Sequence, residues 1–493
     1  MARIVVVGGG IGGMAAAARL SVKGHQITLL EQGPRLGGKL HTHRREGFAF
    51  DTGPSLFTLP AVYRDLFLKT GASLEESVDL QAIEPAFAYH FADGSRVSVP
   101  GVDPAKAAHA FGEAFGGNVT DEWKAFTTRG GDMWRLTRGP FLQSPINGWR
   151  TLLPLANPRD VRTIAPWSSL RSLSKSYFTD ERMITLVDRY ATYSGSDPRK
   201  APAVFATIPY MEQVFGAWHI GGGLGNIATA LEHRLRDRGV DIHLNTDVTS
   251  IDLTGERVSG VTTRTDDHFP ADIVVANADA SAVYGGLISD DRARKQAREV
   301  NSAAPSLAGF VMLLAVRGRT PGIHHHNVWF PRDYNDEFDS IFGSHPRLVD
   351  DPAIYACMPD DPLMRPDADH ESWFILVNTP RHGAGGIDWR EPHLADTYAR
   401  HILSRLAERG TDIRDRILWH EVHTPADLET SVRAPGGSIY GQSSNGARAA
   451  FARPANQAPI PGLYLVGGSA HPGGGLPLVG MGAEIVAEAI GRA

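Results

Sequence analysis

The sequence predicts an α/β protein: a parallel-sheet domain divided into three pieces along the chain, with an α+β domain filling the gaps between them. Three observations lead there. A β-branched run, Ile4-Val5-Val6-Val7, passes through a glycine turn into an alanine-rich helical pattern. The 53 glycines among 493 residues gather in clusters at the start, middle and end of the chain, unlike the even spread of low-complexity sequence. Between the clusters, residues 81–204 and 301–434 carry aromatic residues and strand-like runs that the glycine-turn domain does not account for.

The opening run is apolar at four successive positions, as expected of a strand buried on both faces of a parallel sheet. Gly8, Gly10 and Gly13 follow at G-x-G-x-x-G spacing within Gly8 to Gly13, and Met14 to Leu20 read as the helix. The first glycine permits the tight turn, the second lets backbone N–H groups approach a pyrophosphate, and the third lets helix and strand pack closely. A second strand, Gln26 to Leu30, closes at Glu31, 21 residues beyond Gly10, where an acid accepts hydrogen bonds from ribose hydroxyls. Together these features predict a Rossmann-like dinucleotide site.

A nicotinamide-dependent dehydrogenase would then enter another βα unit. This chain instead presents Arg35-Leu36-Gly37-Gly38-Lys39 and Phe50-Asp51-Thr52-Gly53-Pro54-Ser55. In mid-chain Gly221 to Gly225 leads into a helical pattern over 228–238, a strand-like run from His243 to Val248, a second from Val258 to Thr263 and a buried strand from Ala271 to Ala278. Near the end, Gly462 to Gly468 reads as a strand entering a turn, His471 to Pro477 as a loop able to approach a flat ligand, and Val479 to Ile490 as a closing helix. Its N-terminus can face a phosphate or a polar ring edge. The expected division is 1–80, 205–300 and 435–493 for the nucleotide domain, and 81–204 and 301–434 for the substrate domain.

Composition removes other classes. Lys plus Arg is 49 against 55 Asp plus Glu, a net charge of -6, which offers no general attraction to a phosphate backbone, so no nucleic-acid partner is expected. The single cysteine, Cys357, forms no internal disulfide, and a reducing cytoplasm fits. No uncharged apolar run reaches the 18 or so residues of a spanning helix. Residues 4–18 mimic a secretory signal, but their glycine pairs favour a folded start. No G-x-S-x-G elbow supports a hydrolase.

The paired glycine segments resemble the two-dinucleotide-binding-domain flavoproteins, which implies FAD. More specifically the chain resembles the carotenoid desaturases of the bacterial phytoene desaturase type. The resemblance is carried by Gly8 to Gly13, Gly37-Gly38-Lys39, Phe50 to Ser55, Gly221 to Gly225, Ala276-Asn277-Ala278-Asp279, Val377-Asn378-Thr379-Pro380, Tyr440-Gly441, Phe451-Ala452-Arg453-Pro454 and Gly467 to Pro477. It departs from the family pattern at Ile220 before the triple glycine and at Ala470 before His471. The resemblance implies FAD contacts at Gly8, Gly10, Gly12, Gly13, Glu31, Gln32, Gly37, Gly38, Lys39, Gly53, Pro54, Ser55, Val248, Gly467, Gly468, Leu476 and Pro477. It implies a long apolar polyene as substrate, oxygen or a quinone as electron acceptor, and a cytoplasmic protein peripherally attached to the inner face of the membrane. The activity it implies is desaturation of a carotenoid such as phytoene; a desaturase of a later hydroxylated or C30 carotenoid, another flavin oxidase such as an amine oxidase, and a non-catalytic prenyl-lipid carrier are the alternatives.

In the substrate half, Phe126, Trp134, Phe141, Trp149, Leu152, Leu153, Leu155, Trp167 and Leu170 alternate with Arg150, Arg159, Arg162 and Arg171. Such a segment suits a membrane surface, and equally an ordinary core. Leu307 to Val316 and Trp373 to Val377 read as strands beneath an apolar tunnel. His471, Asp188 and Arg189 are the candidate polar groups near the reacting carbons. No metal is expected: His324-His325-His326 would alternate across an extended segment, and His420 and His423 read as structural.

Overall fold

A computed structural model describes residues 1–146, 150, 157–446, 449 and 453–493. Of the positions singled out above, Trp149, Leu152, Leu153, Leu155, Phe451 and Ala452 lie outside the described residues. Five parallel strands form the first sheet, in the order Leu463–Leu465, Ile273–Ala276, Arg3–Val7, Gln26–Leu30, Asp241–His243. Ile4 and Val6 face the helix Ile11–Ser21 and the closing helix Leu476–Ile490, meeting Met14, Ala483 and Val486. Val5 and Val7, one residue out of phase, face a three-stranded antiparallel ribbon through Val248, Ile251 and Val261. The unbroken apolar run is therefore the two-residue period of a strand covered on both sides. Ala15 to Ala18 are fully buried, and their small side chains let the first helix approach sheet and closing helix together.

The run His243–Val248 is two elements rather than one strand. Asp241–His243 ends the parallel sheet, Asn245 takes a left-handed φ of 53°, and Val248 begins the ribbon. Asparagine is among the few non-glycine residues enriched in that conformation.

The second sheet has seven strands, in the order Ile417–His423, Ala308–Arg317, His370–Thr379, Ile354–Cys357, His326–Trp329, Phe87–His90, Arg96–Val99. Ala308–Arg317 and His370–Thr379 pair along their full length; the first is displaced by one residue from the expected Leu307 to Val316 and the second extends the expected Trp373 to Val377 at both ends. One face carries Met312, Leu314, Trp373 and Ile375 against Ile402 and Leu406 of the helix Leu394–Glu408. On the other face Leu313, Ala315, Phe374 and Cys357 meet Phe48 and Phe50. Those phenylalanines belong to the hairpin Thr42–Arg45 and Phe48–Asp51, which lies in the chain between Gly38 and Gly53. The glycine loops are thus seated on one face of the large sheet by buried aromatic contacts.

A helical lobe, including Pro104–Phe115, Val119–Thr137 and Glu181–Thr192, closes around Trp123, Phe126 and Tyr190. Phe126, Trp134 and Leu170 are buried, so these positions of the suspected membrane face are core. Trp167 is 70% exposed, with Arg159 and Arg162 exposed nearby in sequence. No described helix is long and apolar enough to cross a membrane.

Candidate functional site

The first and last helices bring their N-termini to one place. Gly10 precedes the first helix and Gly475 the closing helix; neither supplies a side-chain cap, and neither first turn contains an acid. The first N–H groups of an α-helix have no intrahelical acceptor, so two sets of donors with the positive end of a helix dipole are left available to an anion. Their proximity is tight: a Cβ on Gly12 would stand 3.0 Å from Val479 Cγ1 and 3.1 Å from the Gly467 nitrogen. A Cβ on Gly13 would come within 2.2 Å of the Gly8 carbonyl oxygen, which fixes glycine there as the close-packing residue of the motif.

The remaining predicted contacts surround this turn. Gly37 N–H donates to the Gly9 carbonyl at 2.8 Å, laying Gly37-Gly38 across the turn, and Lys39 Nζ donates to the Ile439 carbonyl at 3.0 Å. Gly53 passes so close to Lys39 that a Cβ would be 1.9 Å from its carbonyl oxygen, and Pro54 and Ser55 continue toward the large sheet. Glu31 accepts from Gly9 N–H at 2.7 Å through Oε2 and from Gly33 N–H at 2.8 Å through Oε1. Each carboxylate oxygen retains a second lone pair for a ribose hydroxyl. Gln32 follows, half-buried. Val248 is buried at the start of the ribbon, opposite Thr263. Gly467 and Gly468 lie beside the first turn, Leu476 accepts the Tyr63 hydroxyl through its carbonyl at 3.0 Å, and Pro477 occupies the first turn of the closing helix. Uncapped donors, an acid with spare lone pairs and glycine at the closest approaches fit a dinucleotide.

Three side chains bolt the cradle together and were not in the predicted set of contacts. Asn277 Nδ2 donates to the Gly8 carbonyl at 3.3 Å and its amide lies between Gly10, Gly12 and Gly467. Asp51 accepts from Leu224 N–H at 3.0 Å and from Thr42 Oγ1 at 2.6 Å, holding the start of the mid-chain helix Gly225–Asp237. Buried Arg453 donates to the carbonyls of Tyr440, Gly468 and Gln442 at 2.9 to 3.0 Å. All three stood inside motifs of the family pattern, where their side chains gave no sign of which backbone they would reach.

His471, Asp188 and Arg189 are not assembled into one group. His471 is buried at the C-terminal glycine loop; its Nε2 donates to the Ser144 carbonyl at 3.0 Å, its ring meets Phe141 edge-on, and Nδ1 has no hydrogen-bond partner. Burial lowers its pKa to about 4, against the opposing pull of the backbone carbonyls. Asp188 and Arg189 share the helix Glu181–Thr192 but diverge. Asp188 pairs with Arg171 at 2.5 Å, and burial raises its pKa to about 7 despite that partner. This contact turns it away from the glycine loops, toward the short helix Leu170–Lys175. Arg189 is buried between Tyr193, Tyr355 and Phe87, with its guanidinium carbon 5.0, 5.3 and 5.6 Å from their ring centres. Its Nη1 donates to Tyr193 Oη at 2.6 Å, and among the described residues no carboxylate forms an ion pair with it.

Arg189 leads back to the cofactor loops through Tyr355. The Tyr355 hydroxyl lies 2.8 Å from Ser55 Oγ and 2.8 Å from His326 Nδ1, joining the end of the Gly53-Pro54-Ser55 segment to the large sheet. Sequence reading had no signal for this chain of contacts, because Tyr355 and His326 stand on separate strands. Two surface clefts of about 440 and 340 Å³ lie elsewhere, lined by Trp389, His420 and Asp427 and by His90, Arg96 and Arg416. Neither is lined by a residue of the glycine loops, so neither is the expected tunnel.

Comparison with known proteins gives the site its context. The family of flavin-containing amine oxidoreductases matches residues 11–490. The chain is similar to a 4,4'-diapolycopene oxygenase of Methylomonas sp., with 30% identity over 99% of this chain and 98% of the relative. It is also similar to a 4,4'-diapophytoene desaturase of Staphylococcus haemolyticus, with 31% identity over 99% and 98%, and to a hydroxyneurosporene desaturase of Rubrivivax gelatinosus, with 32% over 99% and 93%. Among solved structures a putrescine oxidase shares the fold, with a TM-score of 0.66, 16% identity and 99% of each chain covered. The likeness runs through the glycine cradle and the large sheet alike: the chain belongs to the flavin-containing amine oxidoreductase family and is an FAD-dependent oxidoreductase of its carotenoid desaturase type.

Proposed function

We propose that the protein dehydrogenates an acyclic carotenoid such as phytoene. A hydride and a proton leave adjacent carbons, and the single bond between them becomes a double bond. The observation that supports a hydrocarbon over an amine is Arg189. A buried guanidinium beside Tyr355, with no paired carboxylate among the described residues, raises the energy of a second cation nearby, and an amine substrate is an ammonium ion at neutral pH. A neutral polyene meets no such penalty and gains from the rings of Phe87, Tyr193 and Tyr355.

When bound, FAD would supply the two-electron oxidant that takes the hydride, with oxygen or a membrane quinone as the final acceptor. The chain's residues hold and orient. The N–H groups after Gly10 and Gly12 would take the pyrophosphate, Glu31 the ribose, and Gln32 and Val248 the adenine end. Gly37, Gly38, Lys39, Gly53, Pro54 and Ser55, with Gly467, Gly468, Leu476 and Pro477, would hold the rest of the cofactor. His471, whose pKa burial lowers to about 4, is unprotonated throughout the neutral range and is assigned the proton lost from carbon. Arg189 and its rings position the chain of the polyene, and Asp188 acts at a distance by fixing Arg171. The substrate enters from the inner membrane face by peripheral contact, to which we assign exposed Trp167 with Arg159 and Arg162.

The test is product analysis. FAD-loaded protein is incubated with liposomes containing phytoene and, separately, with putrescine, and products are separated by chromatography. Polyenes lengthened by conjugated double bonds are expected from phytoene alone. Oxidation of putrescine without change in phytoene overturns the proposal.

A further inference from the structure

The histidine triplet was expected to alternate across an extended segment, and that expectation fails at its second and third members. His326 opens the strand His326–Trp329, and in the antiparallel register it stands opposite Cys357, so both side chains leave the same face of the sheet. His325 precedes the strand, where the pleat does not yet govern direction, and its ring lies 4.6 Å from that of His326. One nitrogen of each histidine and the Cys357 sulfur consequently fall within 4.8 Å of one another. We propose that His325, His326 and Cys357 form a three-ligand binding site for a thiophilic divalent ion of the zinc class.

Independent features of the site support a ligand. His326 is fully buried, yet its Nε2 has no hydrogen-bond partner, an arrangement that costs stability unless something fills it. Its other nitrogen is already held by the Tyr355 hydroxyl at 2.8 Å, which in turn reaches Ser55. Metal-bound histidines are ordinarily oriented in this way by a partner on the second nitrogen. Burial favours the neutral imidazole, which is the ligating form.

Arg189 acts electrostatically on His326, and the ion is tolerated there because, unlike a free ammonium ion, it brings a thiolate ligand and has two buried carboxylates nearby to offset its charge. Asp361 accepts from His219 Nε2 at 2.8 Å, and the His219 ring is 5.0 Å from that of His325; Asp51 interacts electrostatically with Cys357. Two imidazoles and a thiolate select a borderline-soft ion over magnesium or calcium and leave a fourth position for water. On binding, the sulfur–metal bond replaces the S–H bond and the thiol proton passes to solvent. Closing the cluster to tetrahedral spacing asks each ligand atom to move by about 1 Å. The ion would lock the strands His326–Trp329 and Ile354–Cys357 beside Ser55, so its role is positional, and the inference stands apart from the identity of the substrate.

The test uses the full-length FAD-loaded protein. After growth with zinc and gel filtration, elemental analysis is expected to find about one zinc per chain, and X-ray absorption at the zinc edge to show one sulfur and two imidazole nitrogens. Cys357→Ser is expected to lose the sulfur signal and most of the zinc while keeping its flavin absorbance and circular dichroism. If that variant does not fold, the wild-type absorption spectrum decides alone. Zinc below about a tenth per chain, or a bound ion without sulfur in its coordination shell, overturns the proposal.

Discussion

The glycine cradle at the first and last helices and the cluster around Tyr355 are built from different material. Around the first and last helices, the surfaces offered to a ligand are backbone: N–H groups after Gly10 and Gly475, and loops in which Gly13 and Gly53 leave no room for a Cβ. Around Tyr355 they are side chains from a strand, a loop and the end of a helix, with Arg189 and Tyr193, His326, and Ser55 converging from three places in the chain. A backbone-built site tolerates almost no change at its closest approaches. A side-chain-built site can be altered piecemeal, with binding of the cofactor preserved.

The strongest break of that comparison is Gly53→Ala, whose Cβ would collide with the Lys39 carbonyl at 1.9 Å. Flavin absorbance per chain in the purified protein should fall by about tenfold or more, because backbone rather than a flexible side chain must yield. Asn277→Ala, which removes the amide between Gly8, Gly12 and Gly467, should weaken FAD binding by about tenfold in a flavin-release titration. On the substrate side the pattern should invert. Arg189→Met should keep full flavin content and lower kcat/KM for the polyene by several-fold to about tenfold in steady-state assays, and loss of flavin in this variant would erase the distinction.

His471 sharpens the boundary through pH. Because burial lowers its pKa from 6.5 to about 4, its proton-accepting form persists above that value, so the rate should be level between about pH 6 and 8 and fall only toward pH 4. His471→Gln should lower kcat and remove the acid limb. The same shift means that the neutral histidine's contribution to the fold is complete above pH 6.5 and is lost as pH falls toward about 4, which a series of melting curves in buffers of decreasing pH would show. The smallest effect belongs to Trp167→Ala. At 70% exposure the change should leave stability within about 0.5 kcal/mol and reduce co-sedimentation with anionic vesicles.

The same contrast explains what was legible in the sequence. The strand, turn, helix and acid from Ile4 to Glu31 are contiguous, and each residue type answers a local steric or hydrogen-bonding demand; the parallel sheet followed from them. The strands over 308–317 and 370–379 were visible as apolar runs. The aromatic stretch after Phe126 left two readings open, because periodicity does not distinguish a membrane face from the core of a helical lobe, and Trp134 and Leu170 are core. The divergence of Asp188 and Arg189, adjacent in sequence yet facing different partners, and the meeting of His326 with Cys357 are products of helix rotation and strand register. Neither is encoded by any short stretch of residues.

The most direct test of the division of labour is an anaerobic visible spectrum of the FAD-loaded protein before and after addition of liposomes containing phytoene. Bleaching of the flavin band with the appearance of new polyene absorbance is the predicted result, and it should persist, more slowly, in Arg189→Met. A flavin band that stays oxidised with phytoene but bleaches with an amine would contradict it, and would place an ammonium ion beside the buried Arg189 guanidinium that should repel it.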